Sequence, residues 1–210
     1  MPRRYPLGVM EVTFRPLSTA DAARRAAGLG FEHLDVTSEV PDDESLAVPV
    51  GDRFTMASPR PGYSSGAPPE GSGNWERAVK AFRRAPGANI EAWPGSVIGS
   101  IDKIRAFLSE VPDVRLLLDT GHVATWGEDP CELVPYAGHV QLRQARRGVP
   151  QALEGDVDFA RLVERLRACG YAGLLSVEYF DLPDLGLGLD DPIGHAVALA
   201  GQVRPLLGIG

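Results

Sequence analysis

The sequence predicts an α/β fold: a TIM-type (β/α) barrel of parallel strands with outer helices, in a shortened or incomplete form. Three observations carry this. Residues 7–14, 20–27 and 31–36 read as strand, helix and strand within about 30 residues, the length of one βαβ unit. Further strand starts fall near 89, 113, 137 and 173, with regular steps of 24 residues between the first three. The run 114–118 is apolar but for Arg115, as in a parallel strand covered on both faces.

Each element has a local reason. Ser18 and Thr19 can cap the helix over 20–27, Asp21 favours its first turn, and Gly28 and Gly30 end it. Residues 46–55 can supply a strand, and 75–84 read as a helix. Between them, 58–73 is mostly Gly, Pro and Ser. Such a stretch has too few apolar side chains to bury, so a flexible loop is expected there, either a lid or an insertion. Ser100 can cap a helix over 101–110, where Ile101, Ile104, Phe107 and Leu108 share one face. The helix over 158–169 carries the stripe Phe159, Leu162, Val163 and Leu166 and stops at Gly170. Asp191-Pro192 opens a last helix. A regular eight-unit barrel takes about 250 residues. This chain has 210, and the interval from 31 to 89 is too short for three regular steps. Six or seven good strands are therefore expected in a single domain spanning 1–210, with any eighth strand irregular.

Composition narrows the function classes. The net charge of −7 argues against a nucleic-acid footprint, which needs clustered Lys and Arg. It leaves a small anionic substrate open. Two cysteines, Cys131 and Cys169, form no disulfide framework or zinc-ribbon spacing, so reduced thiols in a cytoplasmic protein are expected. Glu11 interrupts the first apolar run, which therefore does not read as a signal peptide, and no stretch is long enough to span a membrane. A barrel lacking a unit would expose strand edges, so a homodimer across the gap is the expected assembly.

Barrel active sites lie at the carboxyl ends of the strands. Four consecutive strands end in an oxygen ligand: Glu91, Asp119, Gln141 and Glu178. Alone, Asp119 could cap the next turn, Glu91 and Glu178 could be exposed strand ends, and Gln141 could be an ordinary polar residue. Together they can converge on one cation. A carboxylate closing an apolar run also needs a partner or a metal.

These residues sit in Ile90-Glu91, Leu118-Asp119-Thr120-Gly121-His122, Gly138-His139-Val140-Gln141, Glu154-Gly155-Asp156-Val157-Asp158 and Cys169-Gly170-Tyr171-Ala172-Gly173 leading to Glu178. In this order they resemble the xylose isomerase-like TIM barrels, closely over 89–180, loosely over 7–36 and weakly between. The resemblance implies one divalent metal on Glu91, Asp119, Gln141 and Glu178. Most members have His at the place of Gln141; the hydroxypyruvate isomerase branch is similar to this chain in using Gln. An all-oxygen site favours Mg²⁺ or Mn²⁺ over Co²⁺ or Zn²⁺, unless the Gln ends metal binding altogether. The extra ligands of the three-zinc endonuclease IV relatives are missing, which with the acidic balance speaks against DNA repair.

The resemblance further implies a metal-dependent isomerase or epimerase of a small, sugar-like hydroxy-carbonyl substrate, placing the chain in carbohydrate metabolism. Glu91 and Glu178 would move a carbon-bound proton through a metal-stabilised enediolate. His122 would meet a substrate hydroxyl or support the metal, or be a loop histidine. The family places a substrate-binding Arg where Arg147 stands, with Arg146 the close competitor and a solvated basic pair the plain alternative. Trp93 and Trp126 would wall the pocket or fill core. His139 would orient Gln141 or pack, and His33 and His195 read as structural. A lyase, dehydratase or cyclising enzyme on the same metal site is the alternative activity. A non-catalytic scaffold barrel is the third reading.

Overall fold

The computed structural model describes residues 3–41 and 45–209. Eight strands, all parallel, pair in chain order. They are β1 (Leu7–Met10), β2 (Leu34–Val36), β3 (Val50–Thr55), β4 (Ser64–Gly66), β5 (Asn89–Glu91), β6 (Arg115–Asp119), β7 (Ala137–Leu142) and β8 (Leu175–Val177). β8 returns to β1, matching Gly8 with Ser176, and so closes the barrel. The expectation of six or seven strands and an open gap is thereby corrected. Closure also removes the exposed edge on which a homodimer was expected.

The shortening lies in the helical layer instead. Six helices flank the barrel: α1 (Thr19–Gly28), α2 (Asn74–Phe82), α3 (Ile101–Glu110), α4 (Thr120–Trp126), α5 (Phe159–Ala168) and α6 (Pro192–Leu207). Among the described residues no helix stands between β2 and β4.

The loop expected over 58–73 contains β4, a second correction. Ser64 and Ser65 are buried and pair with β3 on one side and β5 on the other. The backbone ladders supply the strand with its partners, so apolar side chains are not required for it to form. The Ser64 hydroxyl also accepts a hydrogen bond from Asn89 Nδ2 at 3.1 Å.

The helices start where their caps place them. The Ser18, Ser100, Asp158 and Asp191 side chains each accept a backbone N–H from the first turn that follows. Their buried faces cover the outside of the barrel: Ala22, Ala23 and Ala26 of α1, Ile104 and Phe107 of α3, Leu162 and Leu166 of α5.

Barrel interiors are usually filled by layers of branched apolar side chains. This one holds a polar layer. His139 pairs with Asp35 Oδ2 at 2.7 Å. His33 meets the Ser176 hydroxyl at 3.0 Å and Asp35 Oδ1 at 3.8 Å. Asp35 Oδ1 accepts the Asp52 backbone N–H at 2.8 Å. Glycines make the room: a Cβ on Gly8 or on Gly51 would lie 2.2 Å from the His33 ring. Pressed from both sides, that ring has nowhere to go. Gly8→Ala is therefore expected to cost roughly 1–3 kcal/mol, the usual penalty of overpacking, read as a lower urea midpoint. Gly28→Ala, with open space at its Cβ, is the neutral control. An unchanged midpoint in Gly8→Ala would show that His33 yields.

Candidate active site

Parallel strands alternate their side chains, so residues two apart on one strand share the barrel interior. In β7 this puts His139, Gln141 and then Arg143 on one line. The register sets Asp119 beside Gln141 and Gln141 beside Ser176. Glu91 closes β5 opposite Gly66, and Glu178 follows β8. All four expected strand-end residues thus reach the same mouth of the barrel, and all are buried.

Asp119 does two jobs. Its Oδ1 accepts the backbone N–H groups of Gly121 at 2.7 Å and His122 at 3.3 Å, capping α4. Its Oδ2 faces the site, 3.3 Å from His122 Nε2. His122 Nε2 is also 3.4 Å from Glu91 Oε1. Glu91, Asp119 and His122 can each present a ligand atom within 4.8 Å of the others. His122 therefore stands inside the cluster and is no ordinary loop residue. Gln141 donates weakly to Met10 Sδ at 3.7 Å, while its buried Oε1 has no hydrogen-bond partner.

The central residue was not foreseen. Arg143 is 0% exposed. Its Nη2 bonds Asp119 Oδ2 and lies 3.3 Å from both ring nitrogens of His122. Its Nη1 is 3.7 Å from Glu178 Oε2, and its guanidinium sits 4.9 Å over the Phe180 ring. Gly121 makes space for it, since a Cβ there would fall 2.6 Å from Arg143 Nε. The signal was present in the sequence as strand alternation, two residues beyond Gln141. Reading by analogy pointed further along, to Arg147.

Arg147 is exposed, its stem lying along Gly127, and its side chain makes none of the contacts that tie the cluster together. Trp93 is half-buried and donates from Nε1 to Ala67 O at 2.7 Å. It stands beside Gly66, as does Glu91 Oε2, so it borders the cluster. Trp126 packs against the core. His195 is held by Asp191 O at 2.8 Å. The segment 154–158 is clipped to the end of β7 by Gln144, whose amide oxygen accepts the Val157 N–H at 2.9 Å.

The electrostatics follow from burial. Burial raises the Glu178 carboxyl well above the ordinary range; Arg143 opposes this, but Asp119 and Glu91 add to it. Burial also works against a charged Asp119, yet Arg143, His122 and the two backbone donors outweigh it and hold its pKa low.

A family model described as a xylose isomerase-like TIM barrel matches residues 46–199. No curated protein matches the chain in sequence. Solved structures share the fold over nearly the whole chain. D-Psicose 3-epimerase with D-tagatose from Clostridium cellulolyticum H10 is 15% identical, with a TM-score of 0.72, covering 96% of this chain and 99% of that one. A xylose isomerase-like TIM barrel protein from Mycobacterium smegmatis in complex with magnesium is 15% identical, with a TM-score of 0.74, covering 98% of each. A probable 3-DHS dehydratase involved in petrobactin synthesis from Bacillus anthracis is 13% identical, with a TM-score of 0.67, covering 98% and 99%. At these identities the likeness is one of fold.

Deeper in the barrel, His139 gives a pH dependence. Burial lowers its pKa, but Asp35 outweighs burial and raises it from 6.5 to about 8. The folded chain thus holds this proton more tightly than the unfolded one. That stabilisation is complete below pH 6.5 and lost as the pH rises through about 8. It amounts to about 2 kcal/mol. Thermal melts should therefore show a midpoint that falls across this window in the natural chain and falls less in His139→Gln. Parallel profiles in the two proteins would remove His139 as the cause.

Proposed function

Because the chain belongs to the xylose isomerase-like TIM barrel family, we propose that it is a divalent-metal-dependent isomerase or epimerase of a small, sugar-like hydroxy-carbonyl compound. One observation carries the reading. Three buried carboxylates, Glu91, Asp119 and Glu178, meet a single guanidinium, and the amide oxygen of Gln141 beside them has no partner. Fully ionised, the cluster has a surplus of two negative charges. Burying such a surplus is costly unless protons or a cation relieve it.

The donor set fits a hard cation. Glu91, Asp119, Gln141 and Glu178 would hold it through oxygen, which suits Mg²⁺ or Mn²⁺. Bound there, such an ion supplies Lewis-acid polarisation of a carbonyl and its neighbouring hydroxyl. The chain's own groups do the proton work. One of Glu91 and Glu178 takes the proton from the carbon next to the carbonyl, and the other returns a proton to the adjacent carbon or the opposite face. His122, within reach of Glu91 and Asp119, is placed to hydrogen-bond a substrate hydroxyl. Trp93, beside Gly66 and Glu91, offers an apolar wall to the substrate. Arg147 would reach a substrate only from the rim.

Proton removal next to a carbonyl is also the first step of a dehydration, so the informative assay follows the proton. A panel of ketopentoses and ketohexoses in D₂O with Mn²⁺ should take up deuterium at the carbon beside the carbonyl, read by NMR. Glu178→Gln should lower that exchange by about 10²–10⁴-fold with an unchanged circular dichroism spectrum. Full exchange in Glu178→Gln would remove the assignment. Chelator should stop the exchange and Mn²⁺ or Mg²⁺ restore it. Indifference to both would take the metal out of the mechanism.

A further inference from the structure

The place of Arg143 suggests a second role for the cluster. We propose that Arg143 is a built-in counter-cation that competes with the divalent ion for Asp119, so that the guanidinium must release this carboxylate for the ion to be held. The proposal rests on the metal reading above and adds an exchange partner to it.

The argument begins with the oxygens of Asp119. Oδ1 is committed to the backbone of α4 through two N–H donors. Oδ2 is the oxygen that faces Glu91 and His122, and Arg143 Nη2 is bonded to it. An ion held jointly by Asp119 and Glu91 therefore has to approach the oxygen that the arginine already uses. Two positive charges sharing one carboxylate oxygen in a buried site repel strongly, since water screens them little.

The arginine is a deliberate part of the fold. Gly121 leaves room for its stem, and Phe180 lies under its guanidinium. Its backbone is pinned on both sides: its N–H donates to Thr120 Oγ1 at 2.9 Å, and its carbonyl accepts from the same hydroxyl at 2.9 Å. Yet the head group is not fully tied. Buried Nε and Nη1 have no hydrogen-bond partner, and Nη1 only approaches Glu178 at 3.7 Å. A planar guanidinium fully bonded to a carboxylate would be expensive to move. This one has a single carboxylate hydrogen bond, from Nη2 to Asp119, and is otherwise held by charge and by the Phe180 face, so neutralising the cage with a divalent ion takes away much of its hold. Giving up Asp119 draws the guanidinium off the Phe180 ring, so that contact works against release.

The test is Mn²⁺ binding, independent of any substrate. Chelator-treated natural chain, Arg143→Met and Phe180→Leu are titrated with Mn²⁺ by calorimetry and by the loss of the free-ion electron paramagnetic resonance signal. Met keeps the stem volume and removes the charge. Arg143→Met should bind Mn²⁺ at least about tenfold tighter, a modest result for removing a unit charge a few ångströms from the ion. It should also melt at a lower temperature in chelator and recover with Mn²⁺. Phe180→Leu leaves every ligand in place and only loosens the arginine, so it should bind tighter by a smaller factor. It decides the question if Arg143→Met does not fold. Equal or weaker binding in the variants, with the natural chain binding Mn²⁺, overturns the exchange and leaves the metal reading standing. No binding by any of the proteins overturns both. Binding by the variants alone supports the arginine as the competing cation and removes the metal from the natural chain's chemistry.

Discussion

Three carboxylates buried within reach of one another repel, and the carboxyl end of this barrel is organised around making that repulsion tolerable. Glu91, Asp119 and Glu178 arrive on separate strands, and the closed ladder leaves them no freedom to move apart. Arg143 offsets part of the charge, and burial pushes the remainder toward binding a proton or a cation. Asp119 shows how tightly this is coupled to the fold. The same side chain starts α4 with one oxygen and joins the cluster with the other. The charge cluster and the helix that follows β6 are therefore fixed by one residue, and disturbing either disturbs both.

The same economy operates below the site. An interior built from His33, Asp35, Asp52, His139 and Ser176 is costly unless each group finds a partner. Asp35 solves most of it by facing both histidines and the Asp52 backbone at once. The two histidines then diverge: His139, paired closely, tends to keep its proton, while burial makes His33 tend to lose it. Asp52 remains the less satisfied member, with one buried oxygen unpartnered and its pKa raised by burial. Two layers of ionisable side chains are thus stacked along the barrel axis, one around Asp35 and the other at the mouth, where Gln141 stands beside Asp119.

Much of this was legible in the chain, and the unread parts have physical reasons. β5, β6 and β8 announce themselves because each ends in a carboxylate, and an acid next to buried apolar residues is a strong signal. The caps at Ser18, Ser100, Asp158 and Asp191 are local, so local sequence predicts them. β4 is a tertiary product: Ser-Ser-Gly has no strand signal, and the pairing of β3 and β5 across it makes it a strand. The strand count comes out low for a related reason: among the described residues no helix stands between β2 and β4, which shortens the chain as much as a missing unit would. Arg143 carries little local signal, because a basic residue beyond an apolar strand is ordinarily solvated. Only the alternation with Gln141 places it inside, and only the neighbouring Gly121 and Phe180 explain why it fits. His139, expected to orient Gln141 or to pack, is buried and pairs with Asp35 across the barrel, a partner that sequence proximity does not indicate.

The uneven helical coat gives the barrel a stiff half and a soft half. α1 packs on β2 and α3, α5 and α6 on the later half of the barrel, whereas among the described residues no helix follows β2 or β3. Local opening starts where the fewest apolar contacts are lost, so amide protons along β3 and β4 are expected to exchange with solvent ahead of those in β6 and β7. Gly66, on that soft wall, stands directly beside Glu91 and Trp93. Any opening of that wall would reach the cluster at Glu91, while Asp119, Gln141 and Glu178 sit on the helix-backed half.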